Sequence, residues 1–162
     1  MRLTTKTNLA LRTLMFCAVN KDTLVRKQDA AKAINASENH LAQVINKLSQ
    51  EGFITTLRGR HGGFHLARAA DVISVGAVFR AFESGLPFIE CFSDKNTCPL
   101  KAHCGMRPHL SRAVDAFYSA LDELYLDELV CSNSGLEALL SMSGPRAPAK
   151  CAVQPSPQLA AE

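Results

Sequence analysis

Three cysteines stand in one short stretch, CFSDKNTCPLKAHC, at Cys91, Cys98 and Cys104, with spacing C-x6-C-x5-C. Thiolate is the ligand that zinc and iron–sulfur clusters favour. The spacing is wider than the C-x2-C knuckles of structural zinc sites. The stretch is polar, whereas an unligated cysteine prefers an apolar interior. A longer loop can wrap something larger than one ion. Three thiolates leave one iron of a four-iron cluster without a protein thiolate, open to a weaker ligand, a side chain of a second subunit or a small molecule. Three readings stay open: an iron–sulfur cluster (4Fe–4S in preference to 2Fe–2S), a zinc site completed by His103 or His109, and unligated thiols. Of the other cysteines, Cys17 sits on an apolar stretch and reads as a small core residue. Cys131 and Cys151 have no neighbour that would make them ligands.

A second set of residues has the chemistry of DNA recognition. Asn39, His40, Gln43 and Lys47 fall on the polar side of a segment whose Leu41, Val44, Ile45 and Leu48 are apolar at helical spacing. Asn and Gln can pair bidentately with adenine, and Lys supplies phosphate or guanine contacts. Shortly after comes "LRGRHGGFHL", a glycine-rich tip carrying Arg58 and Arg60. Arginine at such a tip suits a narrow minor groove. The candidate DNA-facing set is Ser37, Asn39, His40, Gln43 and Lys47 on the helix and its cap, with Arg58, Arg60, His61 and Gly62 on the tip. Any one of these alone is ordinary solvent exposure. Together they share one helix face and one hairpin.

The elements that must position these residues follow from local signals. Thr4 or Thr5 caps a first helix to about Asn20. "VRKQDAAKAI" reads as a short helix stopped by the turn "NAS", and Ser37 caps the next helix, over 38–50, which ends at Gly52. Helix, three-residue turn, helix is the outline of a helix-turn-helix. Ile54–Leu57 and Phe64–Leu66 have strand propensity and make the hairpin a wing. Ser74 caps a helix with Val75, Val78, Phe79 and Phe82 on one stripe, ended by Gly85 and Pro87. Pro108 opens a long helix expected to reach Val130. Its Leu110, Val114, Phe117, Leu121 and Leu124 form a seam for a partner helix. The expected fold is mainly α with a small β-hairpin. A winged helix-turn-helix domain (1–84) is followed by a cysteine loop (85–107), a dimerisation helix and C-terminal helical segment (108–143), and a disordered tail (144–162).

Charge and composition agree with a polyanion partner. Residues 1–70 hold eleven Lys/Arg against four Asp/Glu, a net +7, and residues 71–162 hold seven against eleven, a net −4. A basic half of this kind suits a phosphate backbone, and charge alone fits a solvated basic surface equally well. No signal peptide and no apolar run long enough for a membrane span are evident, so a cytoplasmic protein is expected. There is no nucleophile elbow, no HExxH and no P-loop, since no Lys-Ser/Thr follows the glycines of the hairpin; an enzyme is not expected.

Taken together, "MRLTTKTNLALRTL", the helix-turn-helix, "LRGRHGGFHLAR" and "ECF…CPLKAHC" resemble the family of cluster-binding winged-helix transcriptional regulators, over about residues 1–142. The resemblance implies a homodimer with a cluster near the dimer interface, ligated by Cys91, Cys98 and Cys104, and a wing matching at Arg58, Gly59, Gly62 and Gly63. It implies a repressor that reads a double-stranded, palindromic operator and senses nitric oxide through damage to its cluster. An iron-responsive repressor of iron uptake genes is the alternative within the family. A zinc-stabilised DNA-binding protein without sensing is the alternative outside it. Asn8 stands where the nitric-oxide-sensing branch has an aspartate that reaches the other subunit's cluster, and where the iron-responsive branch has asparagine. It is the candidate fourth ligand. Arg107 stands where the cluster-assembly branch has a histidine ligand.

Overall fold

The computed structural model describes residues 4–83, 90–93, 96–131 and 133–142. The helix stop at Gly85 and Pro87, the tail expected to be disordered and Cys151 lie outside them. Helix α1 (Thr5–Val19) begins at Thr4, whose hydroxyl accepts the Thr7 N–H at 3.2 Å. The side chain thus satisfies one of the orphan donors of the first turn. Helix α2 (Lys27–Ala33) and helix α3 (Glu38–Gln50) follow. Between them Asn35 takes a left-handed φ of 51°, a conformation Asn tolerates better than most residues. The Ala36 N–H then returns to the Ala31 carbonyl at 2.9 Å. The helix-turn-helix is therefore closed by local hydrogen bonds. Ser37 caps α3 as expected, its hydroxyl accepting from His40 N–H at 3.3 Å.

Strands β1 (Ile54–Leu57) and β2 (Gly63–Leu66) pair antiparallel, with Ile54 opposite Leu66 and Leu57 opposite Gly63. Val25, before α2, adds a third partner through reciprocal 2.9 Å bonds with Phe64. This ties the wing's inner strand to the entry of the helix-turn-helix. A 3-10 turn (Ala70–Val72) leads to helix α4 (Val75–Glu83). One core joins these elements: Leu14, Phe16, Val25, Leu41, Leu48, Ile54, Phe64, Ile73 and Val78 are all essentially buried. Leu41 and Leu48, with Val44 and Ile45, which are also buried, are the residues that the 3.6 periodicity of α3 assigned to the inner face. Removing a buried leucine of this kind costs about 2–5 kcal/mol. The buried Asn20 side chain donates to the carbonyls of Phe16 (2.8 Å) and Leu140 (2.9 Å) and accepts from Met142 N–H (2.9 Å). It thereby clamps helix α7 (Ser134–Leu140) onto the end of α1.

The long helix differs from its expected form. Helix α5 runs Met106–Asp122, and a separate helix α6 spans Leu126–Val130. Pro108 falls in the first turn of α5, where its missing N–H has no helical partner to lose. The break comes because Tyr125 turns extended (φ −105°, ψ 156°). The link is stapled to the start of α4 by Val75 N–H to Leu124 O (2.8 Å) and Leu126 N–H to Ile73 O (2.9 Å). Leu126 and Val130 are thereby 1% and 7% exposed, inside the main core rather than on a projecting helix. Burying one such side chain is worth about 1.5–3 kcal/mol, and the two bonds to Ile73 and Val75 replace part of what the interrupted helix turn gives up. Leu124 leaves the seam for the same reason. Among the described residues no helix is long and apolar enough to cross a membrane.

Candidate functional site

The polar side of α3 is built as its spacing requires. Asn39, His40 and Gln43 are exposed there, with Ser37 exposed at the cap. Asn46 and Gln50 are exposed too and continue the Gln43 stripe at i+3 and i+7. Both were absent from the sequence-based set, although the same spacing that selects Asn39 and Gln43 points to them. Asn46 also lines the groove between α3 and the wing, with Thr56, Leu57, Gly59 and Gly62. Lys47 is placed differently from its neighbours. Its ammonium lies 3.5 Å from Glu51 and 5.8 Å above the Phe82 ring of α4, so it is engaged on the flank of the helix.

On the wing, Arg58, Arg60 and His61 are exposed and Gly62 is half-buried. The tip is a tight turn, with Gly62 N–H bonded to Gly59 O at 2.9 Å. A β-carbon at Gly62 would meet that same oxygen at 2.9 Å, so the turn needs glycine there. The residues that sequence reading assigned to one hairpin do lie on one hairpin, and the fold sets that hairpin beside α3.

The cysteine loop begins with a 3-10 turn (Glu90–Phe92) after α4 and ends at α5. Cys91, Cys98 and Cys104 are free and half-buried. Among the described residues no three His, Cys, Asp or Glu side chains converge as a metal site. The thiols are therefore carried on one loop without being gathered, and neither His103 nor His109 joins them; both are exposed. Clustered thiolates repel one another without a cation between them, so closing such a loop is coupled to metal binding. The loop has a further feature. Asn96 Nδ2 is buried without a hydrogen-bond partner, while its Oδ1 accepts Cys98 N–H at 2.9 Å. An unmet buried donor costs about 1–3 kcal/mol. Three free thiols with a spare N–H donor beside one of them fit an iron–sulfur cluster in donor type. Asn8 is exposed on α1, open to a second subunit. Cys17 is buried, and burial pushes its thiol up to about 12. Cys131, given no role by the sequence, is disulfide-bonded.

Two contacts tie the end of α4, next to the loop, to α1 and α3. Glu83 Oε1 accepts from Thr4 N–H and Thr4 Oγ1, each at 2.9 Å, and from the buried Thr7 hydroxyl. Partial burial works to raise the Glu83 carboxyl, but the bonds from Thr7 and Thr4 outweigh it and hold it below its ordinary value. Lys47 over Phe82 is the second tie. Further along, Arg80 grips Asp122 of α5 through both guanidinium nitrogens and stacks 4.8 Å over Tyr118. The Arg80 bond is the main cause holding Asp122 below its usual carboxylate value. None of these four side-chain ties was legible in the sequence, because each joins residues far apart along the chain.

Comparison with known proteins places this arrangement. Residues 3–132 match Rrf2, described as an iron-dependent transcriptional regulator. The chain is 37% identical over 143 residues to the HTH-type transcriptional regulator NsrR of Bacillus licheniformis, covering 87% of this chain and 100% of that one. It is 37% identical over 137 residues to the HTH-type transcriptional repressor NsrR of Streptomyces coelicolor, covering 83% and 92%. Among solved structures, CymR, the global cysteine regulator of B. subtilis, superposes with a TM-score of 0.63 at 25% identity, covering 80% of this chain and 96% of that one. IscR of T. potens, at 23% identity and a TM-score of 0.62 over 80% of this chain and 86% of that one, shares the fold. With its winged helix-turn-helix and its match over most of its length, the chain belongs to the Rrf2 family of DNA-binding transcriptional regulators, and is a regulator rather than an enzyme.

Proposed function

We propose that this regulator is a homodimeric repressor whose Cys91, Cys98 and Cys104 hold an iron–sulfur cluster, 4Fe–4S in preference to 2Fe–2S, and that nitric oxide triggers its release from the operator. The observation that carries the reading is the set of three free, half-buried thiols on the loop between α4 and α5. The likeness to NsrR regulators supports the choice of DNA as target and bears on the signal. When bound, the cluster supplies iron open to attack by nitric oxide.

The chain's own residues do the remaining work. Asn39, His40, Gln43 and Asn46 face base edges in the major groove. Arg58, Arg60, His61 and the Gly62 backbone reach the adjoining backbone or minor groove, and Ser37 faces a phosphate from the cap. Asn8 is offered to the second subunit's cluster as a weak fourth ligand. The α5 seam joins two copies, so the operator is two-fold symmetric with half-sites about 10 bp or a multiple apart. The Thr4–Thr7–Glu83 latch and the Lys47–Phe82 contact pass a rearrangement of the cysteine loop to α1 and α3.

The test is purification without oxygen, with iron and sulfide assay and an absorption spectrum, followed by a gel-shift titration. Stoichiometric nitric oxide is expected to release the operator. If nitric oxide leaves the complex intact while an iron chelator dissolves it, the protein is an iron-responsive repressor. A colourless protein carrying one zinc per chain would make it a zinc-stabilised DNA-binding protein.

A further inference from the structure

Asn96 stands two residues before Cys98 and is tied to it. Its Oδ1 accepts the Cys98 N–H at 2.9 Å, an Asx-type turn that fixes the loop at this ligand. Its Nδ2 is, among the described residues, the one buried side-chain nitrogen or oxygen with no hydrogen-bond partner. Exchanging the amide's oxygen and nitrogen cannot remove the orphan, because an NH2 group would then face the Cys98 N–H. The carbonyl end is committed to the Cys98 backbone, and the donor end is buried without a partner in the loop that carries the three thiols. An N–H that meets no oxygen in a loop of three thiols is suited to sulfur. Hydrogen bonds to cluster sulfurs are one of the means by which a protein sets the potential and retention of an iron–sulfur centre. Partners just beyond the ligands are typically worth 10–100-fold in metal retention.

We propose that Asn96 is a positioning residue for the cluster. Its amide oxygen holds the Cys98 backbone, and its amide N–H donates to a sulfur of the group bound at Cys98. The inference rests on the cluster reading above. Asparagine suits both tasks at this reach. Aspartate keeps the acceptor and loses the donor; alanine loses both.

The experiment compares wild-type, Asn96→Asp and Asn96→Ala proteins purified and reconstituted without oxygen. Both variants are expected to lose visible absorption to an iron chelator about 10–100-fold faster than wild type, with lower reduction potentials. Pulsed EPR of the reduced cluster is expected to resolve an exchangeable proton in wild type that is missing from both variants. The circular dichroism spectrum of the cluster-free Asn96→Asp protein should match wild type, since the turn to Cys98 is kept. If Asn96→Asp retains its cluster as wild type does, and only Asn96→Ala is impaired, the residue merely shapes the loop and the donor role is overturned. An unchanged proton coupling in Asn96→Asp overturns it equally. A wild-type protein that takes up no iron or sulfide removes the cluster reading and this inference together. A wild-type cluster with unaffected variants removes this inference alone.

Discussion

What a thiol can do is set by what surrounds it, and this chain holds two contrasting environments. Cys17 is 2% exposed, and burial pushes its thiol up to about 12. It therefore stays protonated and inert at neutral pH, because the thiolate is the reactive form. Cys91, Cys98 and Cys104 are half-buried and free on a polar loop. In cluster-free protein, iodoacetamide should modify these three and spare Cys17 until the protein unfolds, as read by peptide mass spectrometry. Cys98→Ser should abolish the visible absorption of the reconstituted protein, while Cys17→Ser should leave it; a full cluster in Cys98→Ser would remove that residue from the ligand set. Glu83 gives the residue scale its pH dependence. Its carboxyl is held below its ordinary value in the folded protein, the bonds from Thr7 and Thr4 outweighing burial. The stabilisation it provides is thus present above the ordinary carboxylate range, about 4.3, and is lost as pH falls through the lowered value. Glu83→Gln should be less stable than wild type in urea at pH 7, and the gap should close on acidification. A constant gap from pH 7 to pH 3 would mean that the carboxylate's charge plays no part.

At the scale of elements, what was legible in the sequence is what local chemistry decides. Ser37 and Gly52 bracket α3, and the bounds 38–50 follow from those two signals. The wing was legible because a glycine-rich tip with flanking strand formers has few alternatives. The break between α5 and α6 was not, because heptad spacing runs on through Leu124 while the cause lies some fifty residues earlier, in the free backbone groups of Ile73 and Val75. Lys47 shows the same gap: its helical position places it on the candidate DNA-facing side, while its contacts to Glu51 and to the distant Phe82 come from the fold. The α4–α5 junction is likewise non-local. Gly76 faces Asp122 so closely that a β-carbon would lie 2.8 Å from the Asp122 backbone nitrogen. Gly76→Ala should therefore force α5 away from α4 and cost about 1–3 kcal/mol as an overpacking change, measured by chemical denaturation. Asp122→Ala, which removes only the exposed pair with Arg80, should cost less; the reverse order would show that the close approach is not what sets the junction. The wing makes its own prediction. Arg58→Ala should weaken operator binding and reduce the slope of log affinity against log salt by about one unit. Identical salt titrations for the two proteins would exclude a phosphate contact from Arg58.

The whole molecule raises the question of what covers α5. No residue of this helix is buried in the single chain. Leu110, Val114 and Leu121 are half-buried along one side, and Phe117 meets α4 only edge-on, 6.0 Å from the Phe79 ring. Leu100 of the cysteine loop and Met106 at the start of α5 are exposed. A seam that is only half covered in the single chain has room for a partner, and a second copy fits the proposed two-fold operator. Two reading heads joined in this way gain affinity through effective concentration rather than new contacts, by about 10²–10⁴-fold. The arrangement also suits a switch. Moving a dimer from 99:1 bound to 1:99 needs about 5.5 kcal/mol of differential stability, which can be divided between two loops that each act on the spacing of the heads. Val114→Glu would place a carboxylate inside the seam while leaving the single chain's core untouched. Analytical ultracentrifugation should find this variant monomeric, with the melting profile of a folded protein. Its affinity for the full operator should fall about 10²–10⁴-fold, to the value both proteins show for an isolated half-site. A Val114→Glu protein that remains dimeric, or a monomeric variant that binds the full operator as tightly as wild type, would place the partner surface elsewhere or remove the need for one.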